Sequence, residues 1–248
     1  MKPVLLFCFA LCLAACSAKA EPACRPISYQ ANDYTVCKAA GDADIRLFLN
    51  RENGKPLFSF EAAQARLAAE EEGASLVFAV NGGMYHEDRA PVGLYVENGK
   101  QVAPLNTAAR DGNFGLVPNG VFYIANGRAG VAETSVFAEA APETEFATQS
   151  GPMLVIDGAL HPKFTIDGTS KKKRNGVGIT DDGQTVYFVM SEGLVNFHSF
   201  ASFFRDHLET PNALFLDGTV SRLYDRANAR SDPGLPMGPM VGLVAAGG

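Results

Sequence analysis

Apolar runs that end in turn-forming segments recur along the chain after residue 75. Residues 76–80 and 213–216 are apolar without interruption, which is typical of strands buried on both faces. Residues 177–190 surround Asp181-Asp182-Gly183 and predict a β-hairpin. Asn-Gly and Asp-Gly dipeptides favour tight hairpin turns, and they occur at Asn98-Gly99, Asn119-Gly120, Asn126-Gly127, Asp157-Gly158 and Asp182-Gly183. This part of the chain is therefore predicted to be mostly β.

Two other segments have the spacing of helices. Residues 60–73 are rich in alanine, and Gly73 stands where a C-terminal capping glycine belongs. Residues 199–208 place their apolar side chains on one face, as a core-facing helix requires. Residues 29–37 and 45–49 predict earlier strands. Together these elements predict a single α+β domain over residues 24–248, with a large twisted, mostly antiparallel or mixed sheet and a few packed helices.

Composition supports one folded domain and gives no indication of a nucleic-acid partner. The chain has 248 residues, and 47% of them are apolar, so it can bury a sizeable core. The net charge is −6, and no basic face with interleaved aromatic residues is visible. The one basic run ends in Arg174, and its three lysines, Lys171 to Lys173, are interpreted as a solvated loop. We therefore expect no binding to nucleic acid.

The N-terminus has the features of a targeting segment. Residues 4–15 are apolar but too short to span a bilayer as a helix. Leu13-Ala14-Ala15-Cys16 resembles a bacterial lipobox, which implies a signal peptide over residues 1–15, cleavage before Cys16 and lipidation of that cysteine. Residues 16–23 would form the lipidated tether, and Ser17 favours an outer-membrane location facing the periplasm. An ordinary signal peptide is the alternative.

The cysteines predict one disulfide and no metal site. Cys8 and Cys12 leave with the signal peptide and Cys16 becomes the anchor, so Cys24 and Cys37 remain in an oxidising compartment and are expected to pair. Two thiols without a neighbouring histidine make a poor metal site. No cofactor is predicted, and dependence on a divalent metal ion is left open.

Five clusters of small polar residues and glycine end apolar segments and are the candidates for chemistry. They are Asn81-Gly82-Gly83, Ser150-Gly151-Pro152, Arg174-Asn175-Gly176, Ser191-Glu192-Gly193 and Asp217-Gly218-Thr219-Val220-Ser221. A single cluster of this kind is more often a turn than a site. The chain lacks a Gly-x-Ser-x-Gly elbow, a His-Glu-x-x-His motif, a P-loop and a dinucleotide fingerprint, so a serine–histidine triad and a catalytic zinc are unsupported.

In their order and spacing the five clusters resemble the phosphodiester glycosidase family. The family pattern has Asn-Gly-Gly after a strand, a Ser-Gly-Pro-like segment, Arg-x-x-x-Gly opening a hairpin, an Asp/Glu-Gly turn, a helix, and a strand ending Asp-Gly-Gly-Gly-Ser. The resemblance covers residue 76 to the C-terminus. Together with the lipobox, it implies an envelope-anchored hydrolase that cleaves a glycosidic bond to a phosphodiester in a glycan or sugar-phosphate substrate.

The resemblance and the chemistry of this reaction imply roles for individual residues. Asp217 is predicted to be the nucleophile or general base, Glu192 the acid/base or a ligand of sugar hydroxyls, and Arg174 a bidentate clamp on phosphate. Substrate contacts are expected from Asn81, Gly82, Gly83, Ser150, Gly151, Gly218 and Ser221. Alternatives stay open: a structural arginine paired with an acid for Arg174, a capping or turn aspartate for Asp217, and structural roles for Glu192 and Ser221.

The chain departs from the family pattern where Thr219-Val220 replace two glycines. If those glycines expose backbone N–H groups to a phosphate, that contact is lost here. A second hypothesis is therefore a catalytically inactive glycan-binding lipoprotein of the same fold, and a third is a structural lipoprotein without a ligand. Convergence of Asn81, Arg174 and Asp217 on one pocket would favour the hydrolase.

Overall fold

The computed structural model describes residues 23–108, 112–218 and 220–247, whose strands form three sheets. Sheet 1 has the strand order β1 (Cys24–Tyr29), β2 (Asn32–Ala40), β13 (Thr185–Ser191), β12 (Asn175–Ile179), β14 (Asn212–Asp217), β10 (Met153–Ile156) and β11 (Ala159–Leu160). Sheet 2 has the order β16 (Arg230–Ser231), β15 (Leu223–Asp225), β4 (Ser75–Asn81), β17 (Met240–Ala245) and β3 (Ile45–Phe48). Sheet 3 has the order β6 (Lys100–Ala103), β5 (Tyr95–Glu97), β9 (Phe146–Ser150), β7 (Gly120–Ala125) and β8 (Arg128–Glu133). Neighbouring strands in all three sheets are antiparallel.

One helix covers the outer face of each sheet. α1 (Phe60–Glu70) packs on sheet 2, and its N-terminus is capped by Ser59, whose Oγ accepts a hydrogen bond from the Ala62 N–H at 3.2 Å. α2 (Thr134–Ala140) packs on sheet 3. α3 (Phe197–Ser202) packs on sheet 1 and continues as a π-helix over Phe203–His207. Each sheet is thus shielded from solvent on its outer side by apolar helix residues.

The inner faces of the three sheets enclose one hydrophobic core. The ring of Phe188 in β13 lies 5.6 Å from that of Phe78 in β4 and 5.5 Å from that of Phe122 in β7, between ring centroids. Leu214 of β14 belongs to this core, whereas its neighbour Phe215 packs on the other face, against α3. β14 is therefore buried on both faces, as its uninterrupted apolar sequence predicts.

The predicted fold class is confirmed: the chain forms a single α+β domain with mostly antiparallel strands and few helices, and the strands are divided among three sheets. The hairpin predicted at residues 177–190 is formed by β12 and β13, with Val177 opposite Phe188. Both predicted helices are present, but the first ends at Glu70 and the second begins at Phe197. The short helix α2 was not predicted.

The N-terminal hairpin carries the predicted disulfide. Cys24 and Cys37 face each other across β1 and β2 and are joined by a disulfide bond. The predicted signal peptide and Cys16 lie in residues 1–22, outside the described residues. Within the described ranges, no helix is long and apolar enough to cross a bilayer.

Candidate active site

The three sheets meet where the predicted polar clusters lie. Side-chain hydrogen bonds link each pair of sheets: Asn175 Nδ2 to the Asn81 carbonyl (2.8 Å, sheets 1 and 2), Ser150 Oγ to the Leu216 carbonyl (2.7 Å, sheets 1 and 3), and the Gly83 N–H to Thr148 Oγ1 (3.2 Å, sheets 2 and 3). All of these residues are buried. The ends of β4, β9 and β14 are therefore fixed beside one another, so the clusters they carry share one region.

Asn175 connects the first and the last of the predicted clusters. Its Nδ2 donates to both the carbonyl (2.8 Å) and Oδ1 (3.2 Å) of Asn81, and its Oδ1 accepts a hydrogen bond from the Asp217 N–H at 2.9 Å. Asn81 Oδ1 also accepts from the Arg222 N–H at 2.9 Å, whereas Asn81 Nδ2 has no partner in the described part of the chain. The sequence did not single out Asn175 as a site residue. Its place beside Arg174 in the third cluster was the sequence feature that pointed to it.

Two predicted glycines allow the strands to approach closely here. A Cβ at Gly83 would lie 2.4 Å from the Gln149 carbonyl oxygen, and one at Gly151 would lie 2.7 Å from Asn119 Cβ. Both contacts are too short for any side chain, so packing between strand ends requires glycine at these positions. Gly82 is buried as well, and its N–H donates to the Pro239 carbonyl at 2.7 Å.

A cleft of about 330 Å³ opens beside this meeting point and is lined by Met84, Tyr85, Val92, Asp217 and Val220. Asp217 is the last residue of β14 and is 9% exposed, and its Oδ1 accepts a hydrogen bond from the Gly218 N–H at 2.6 Å. A larger cavity of about 480 Å³ on sheet 3 is lined by none of the predicted site residues. The predicted nucleophile is therefore a carboxylate of the smaller cleft, and we take that cleft as the candidate site.

Tyr85 forms one wall of the cleft and was missed by the sequence analysis. Its ring packs over Gly238, where a Cβ would lie 2.5 Å from Tyr85 Cγ, and its hydroxyl donates to the Pro236 carbonyl at 3.3 Å. Burial, and then the negative charge of Asp217, raise the pKa of Tyr85. The hydroxyl is therefore protonated at neutral pH, and Tyr85 acts there as a hydrogen-bond donor.

Arg174 is fully buried and packs against α3, away from its neighbour Asn175. Its Cζ lies 3.5 Å from the centroid of the Phe197 ring, its Nε donates to the Val195 carbonyl (3.0 Å), and its Nη2 donates to the Ser170 carbonyl (2.8 Å). In the described ranges, Nη1 has no partner and no carboxylate forms an ion pair with Arg174. Burial lowers the pKa of Arg174 to about 10, so the side chain is still a cation at neutral pH.

Glu192 lies in a group of charged side chains that we call the ionic cluster: Lys173, Glu192, Arg230 and Asp232. Arg230 donates from Nη1 to Glu192 Oε1 (2.7 Å) and from Nε to Asp232 Oδ1 (2.8 Å). Lys173 Nζ is 3.9 Å from Glu192 Oε2 and 3.7 Å from Asp232 Oδ2. The cluster joins the end of β13 in sheet 1 to β16 in sheet 2. Arg230 and Asp232 were missed because nothing near them in sequence marks a partner in another sheet.

The pKa of Glu192 predicts how this cluster responds to acid. Burial raises the pKa of Glu192, but hydrogen bonds from Arg230 and Thr35 outweigh it and hold the pKa below its usual value of 4.5. The ionised form therefore stabilises the folded state above about pH 4.5, and this stabilisation is lost as the pH falls through the lowered pKa. Because the Glu192 side chain is 35% exposed, we expect Glu192→Gln to cost about 1 kcal/mol or less at pH 7.

Urea unfolding of the wild-type protein and Glu192→Gln at pH 7 and pH 3 checks this prediction. Glu192→Gln is expected to have a lower free energy of unfolding than the wild-type protein at pH 7, and this difference should shrink at pH 3. A difference that grows in acid would contradict the lowered pKa.

The two predicted serines are engaged by backbone carbonyls. Ser150 Oγ donates to Leu216, as described above, and Ser221 Oγ lies 2.8 Å from the Asp217 carbonyl and 3.2 Å from the Lys173 carbonyl. Gly218 is packed too, because a Cβ there would lie 3.1 Å from Phe215 Cζ. Ser221 Oγ thus lies between the Asp217 and Lys173 carbonyls and holds the backbone at these two residues together.

The described ranges contain no group of three or more histidine, cysteine, aspartate or glutamate residues that could hold a metal ion. The ionic-cluster carboxylates are instead bound by Arg230 and Lys173, and Asp217 by a backbone N–H.

Comparison with known sequences places the chain in a family. A family model described as phosphodiester glycosidase matches residues 74–242, which span all five polar clusters. The chain belongs to the phosphodiester glycosidase family. The resemblance predicted from the clusters is thereby confirmed. YigE, an uncharacterised protein of Escherichia coli strain K12, is 37% identical over 185 residues, which cover 75% of this chain and 71% of YigE.

Two solved structures share the fold of this chain. The catalytic domain of zebrafish N-acetylglucosamine-1-phosphodiester alpha-N-acetylglucosaminidase matches with a TM-score of 0.62 and 13% identity, covering 89% of this chain and 81% of the other. A protein of Burkholderia pseudomallei whose export has been inferred matches with a TM-score of 0.55 and 13% identity, covering 86% and 74%. At this level of identity the two structures show a shared fold.

Proposed function

We propose that this protein is a hydrolase that cleaves the glycosidic bond between a sugar and a phosphodiester. In this reaction the bond from the anomeric carbon to the phosphate oxygen breaks, water supplies the new hydroxyl of the sugar, and a phosphate monoester leaves. The proposal rests on the position of Asp217. Its side chain lines the cleft at the junction of the three sheets, and the chain belongs to the phosphodiester glycosidase family. The presence of this cleft weighs against a purely structural lipoprotein.

Asp217 is assigned as the nucleophile or general base. Phosphate is a good leaving group, so the reaction needs little protonation of the departing oxygen and depends mainly on a carboxylate near the anomeric carbon. The bond from the Gly218 N–H to Oδ1 holds one carboxylate oxygen in place, at 2.6 Å.

Arg174 is assigned to supply positive charge for the phosphodiester. The predicted bidentate grip would require Nη2 to leave the Ser170 carbonyl, which it holds at 2.8 Å. Arg174 packs on the α3 side of sheet 1 and is not one of the residues that line the cleft, so its proposed effect on an anion there is through its charge, as a buried cation without an ion-pair partner in the described ranges.

Glu192 is assigned to sugar hydroxyls rather than to proton donation. Its lowered pKa keeps it ionised at neutral pH, which a general acid must not be. Its hydrogen bonds from Arg230 and Thr35 orient it as an acceptor. Of the two roles predicted from sequence, the geometry supports the hydroxyl ligand.

We further propose that the protein acts in the bacterial cell envelope on a surface or periplasmic glycan, held by a lipid on Cys16. The lipobox, the Cys24–Cys37 disulfide and the exported structural relative support this location. Labelling of cells with radioactive palmitate tests it: the protein should take up label, and Cys16→Ser should not. Equal labelling of both would contradict the anchor.

Release of sugar from a panel of sugar 1-phosphodiesters tests the hydrolase proposal. The folded wild-type protein is expected to release free sugar and a phosphate monoester from at least one member, with divalent ions both present and absent in parallel assays. A folded protein that releases none would contradict the proposal.

The alternative is a glycan-binding protein that has lost catalysis. It is favoured by Val220, which lines the cleft where the family pattern has a glycine. Saturable binding of envelope glycan without any sugar release would support this alternative.

A further inference from the structure

The segment that follows Asn81-Gly82-Gly83 forms a tight loop at the edge of the candidate cleft. The loop closes through hydrogen bonds from the Val92 N–H to the Met84 carbonyl (3.0 Å) and from the His86 N–H to the Ala90 carbonyl (2.8 Å). Met84 and Val92, at its base, line the cleft. Arg89 lies at its tip with a φ of 73°, a left-handed conformation that is uncommon for a long side chain. The loop therefore places an arginine beside Tyr85, a residue that lines the cleft.

The guanidinium of Arg89 is only partly engaged. Its Cζ lies 5.4 Å from the centroid of the Tyr85 ring, and its Nη1 donates to the Glu87 carbonyl at 2.5 Å. Its Nε is buried without a partner, and Arg89 forms no ion pair within the described ranges. Nη2 makes no hydrogen bond there either and, unlike Nε, is not buried. A guanidinium with an accessible donor that no carboxylate occupies is suited to binding an anion.

Arg89 and Asp217 act on the same side chain. Besides burial, the negative charge of Asp217 raises the pKa of Tyr85, and the positive charge of Arg89 lowers it. The guanidinium and the carboxylate therefore both lie within Coulombic range of the Tyr85 hydroxyl. Tyr85, whose ring Arg89 contacts, lines the cleft together with Asp217, so an anion bound by Arg89 would stand beside the cleft that holds the assigned carboxylate.

The other arginines near the site are less available. Arg222 is 8% exposed, and its Nε and Nη1 donate to the carbonyls of Asp232 (2.7 Å) and Leu235 (3.1 Å). Arg174 is fully buried and bound to carbonyls, as described above. Arg89 is the one of these three that is only half-buried and retains an accessible unbound donor.

We propose that Arg89 binds the phosphodiester group of the substrate through its Nη2 and so selects anionic sugar phosphates over neutral glycosides. This inference rests on the proposed hydrolase function. The two N–H donors of Nη2 belong to a planar, permanently charged guanidinium that suits phosphate oxygens and that a lysine does not reproduce. The strained loop and the Tyr85 ring hold the guanidinium in place, so little of its freedom is lost on binding.

Binding of a phosphodiester that carries no sugar tests the inference without requiring catalysis. Dimethyl phosphate is the anionic probe and trimethyl phosphate its neutral counterpart, and binding of both is followed by ³¹P NMR titration. Wild type should bind the anion and not the neutral ester. Arg89→Ala should weaken binding of dimethyl phosphate by about 10- to 100-fold, the range for a charge-assisted hydrogen bond. Arg89→Lys should fall between the two, because lysine keeps the charge but loses the planar guanidinium.

Arg128→Ala is the matched control. Arg128 is exposed at the tip of the β7–β8 hairpin, beside Gly183 and far along β13 from Ser191, and its loss should leave binding unchanged. If Arg89→Ala does not fold, as judged by circular dichroism, Arg89→Lys carries the test. Equal binding by wild type and both Arg89 variants, or no binding by wild type, would overturn the inference.

The outcomes separate this inference from the hydrolase proposal. Binding that depends on Arg89, in a protein that releases no sugar, would support the anion site and contradict hydrolysis. Sugar release whose KM is unaffected by Arg89→Ala would support hydrolysis and overturn the role of Arg89.

Discussion

Replacing Asp217 with asparagine is expected to lower kcat for sugar release by about 10²–10⁴-fold while the protein stays folded. Asparagine has nearly the same shape and keeps an oxygen that can accept from the Gly218 N–H. The backbone N–H of residue 217 still donates to Asn175. Only the negative charge and the basicity of the carboxylate are lost, so the change falls on the chemical step. Initial rates with an active sugar 1-phosphodiester, measured beside urea unfolding, check the prediction.

KM is not expected to rise with this change. Removing a negative charge from the cleft relieves its repulsion of an anionic substrate, so KM should fall or stay constant while kcat drops. Asp182→Asn is the control: Asp182 is an exposed turn residue at the tip of the β12–β13 hairpin, and its loss should leave both constants unchanged. If Asp217→Asn retained wild-type kcat, Asp217 would be the capping or turn aspartate that the sequence left open.

Local turn chemistry accounts for much of what the sequence predicts correctly about the fold. Asn126-Gly127 has φ values of 51° and 66°, as a tight hairpin turn requires, and joins β7 to β8. Asn119-Gly120 has the same sequence pattern but is not such a turn. Asn119 is buried, and its side chain donates to the Phe114 carbonyl (3.0 Å) and accepts from Thr134 Oγ1 (2.7 Å), so tertiary contacts decide its conformation.

Strand pairing is the part of the fold that the sequence does not reveal. β2 lies beside β13, with Cys37 opposite Phe188, and this pairing spans most of the chain. Apolar periodicity shows that a segment is a strand but not which partner it takes. The division into three sheets follows from such distant pairings, so a single large sheet was the natural expectation.

The candidate site, too, could be predicted only in part from the sequence. Asp217 and Asn81 could be found because each ends an apolar strand, where polar residues stand out. Tyr85 and Arg89 could not be found from the sequence, because they lie in a loop whose apolar residues follow no helix or strand periodicity. Their importance depends on a cleft that exists only once β4 and β14 are side by side.

Replacing Asn175 with alanine is expected to lower the free energy of unfolding by about 2–4 kcal/mol. Its side chain satisfies the Asn81 carbonyl and the Asp217 N–H, both deep in the junction of the sheets. Alanine would leave these buried groups unpaired, and each such group costs about 1–3 kcal/mol. Urea unfolding at neutral pH measures the change.

Asn212→Ala is the matched control for this effect, since Asn212 begins the strand that Asp217 ends. Asn212 is only partly buried, and its side chain makes two long, exposed hydrogen bonds to Asp157: Oδ1 accepts from the Asp157 N–H at 3.2 Å and Nδ2 donates to Asp157 Oδ1 at 3.4 Å. Its loss should therefore cost about 1 kcal/mol or less. Because Asn175 also holds the backbone of Asp217, Asn175→Ala should lower kcat in whatever fraction remains folded. Wild-type stability in Asn175→Ala would show that this hydrogen-bond chain does not hold the sheets together. The carboxylate would then be positioned by its other contacts, the hydrogen bond from the Gly218 N–H among them.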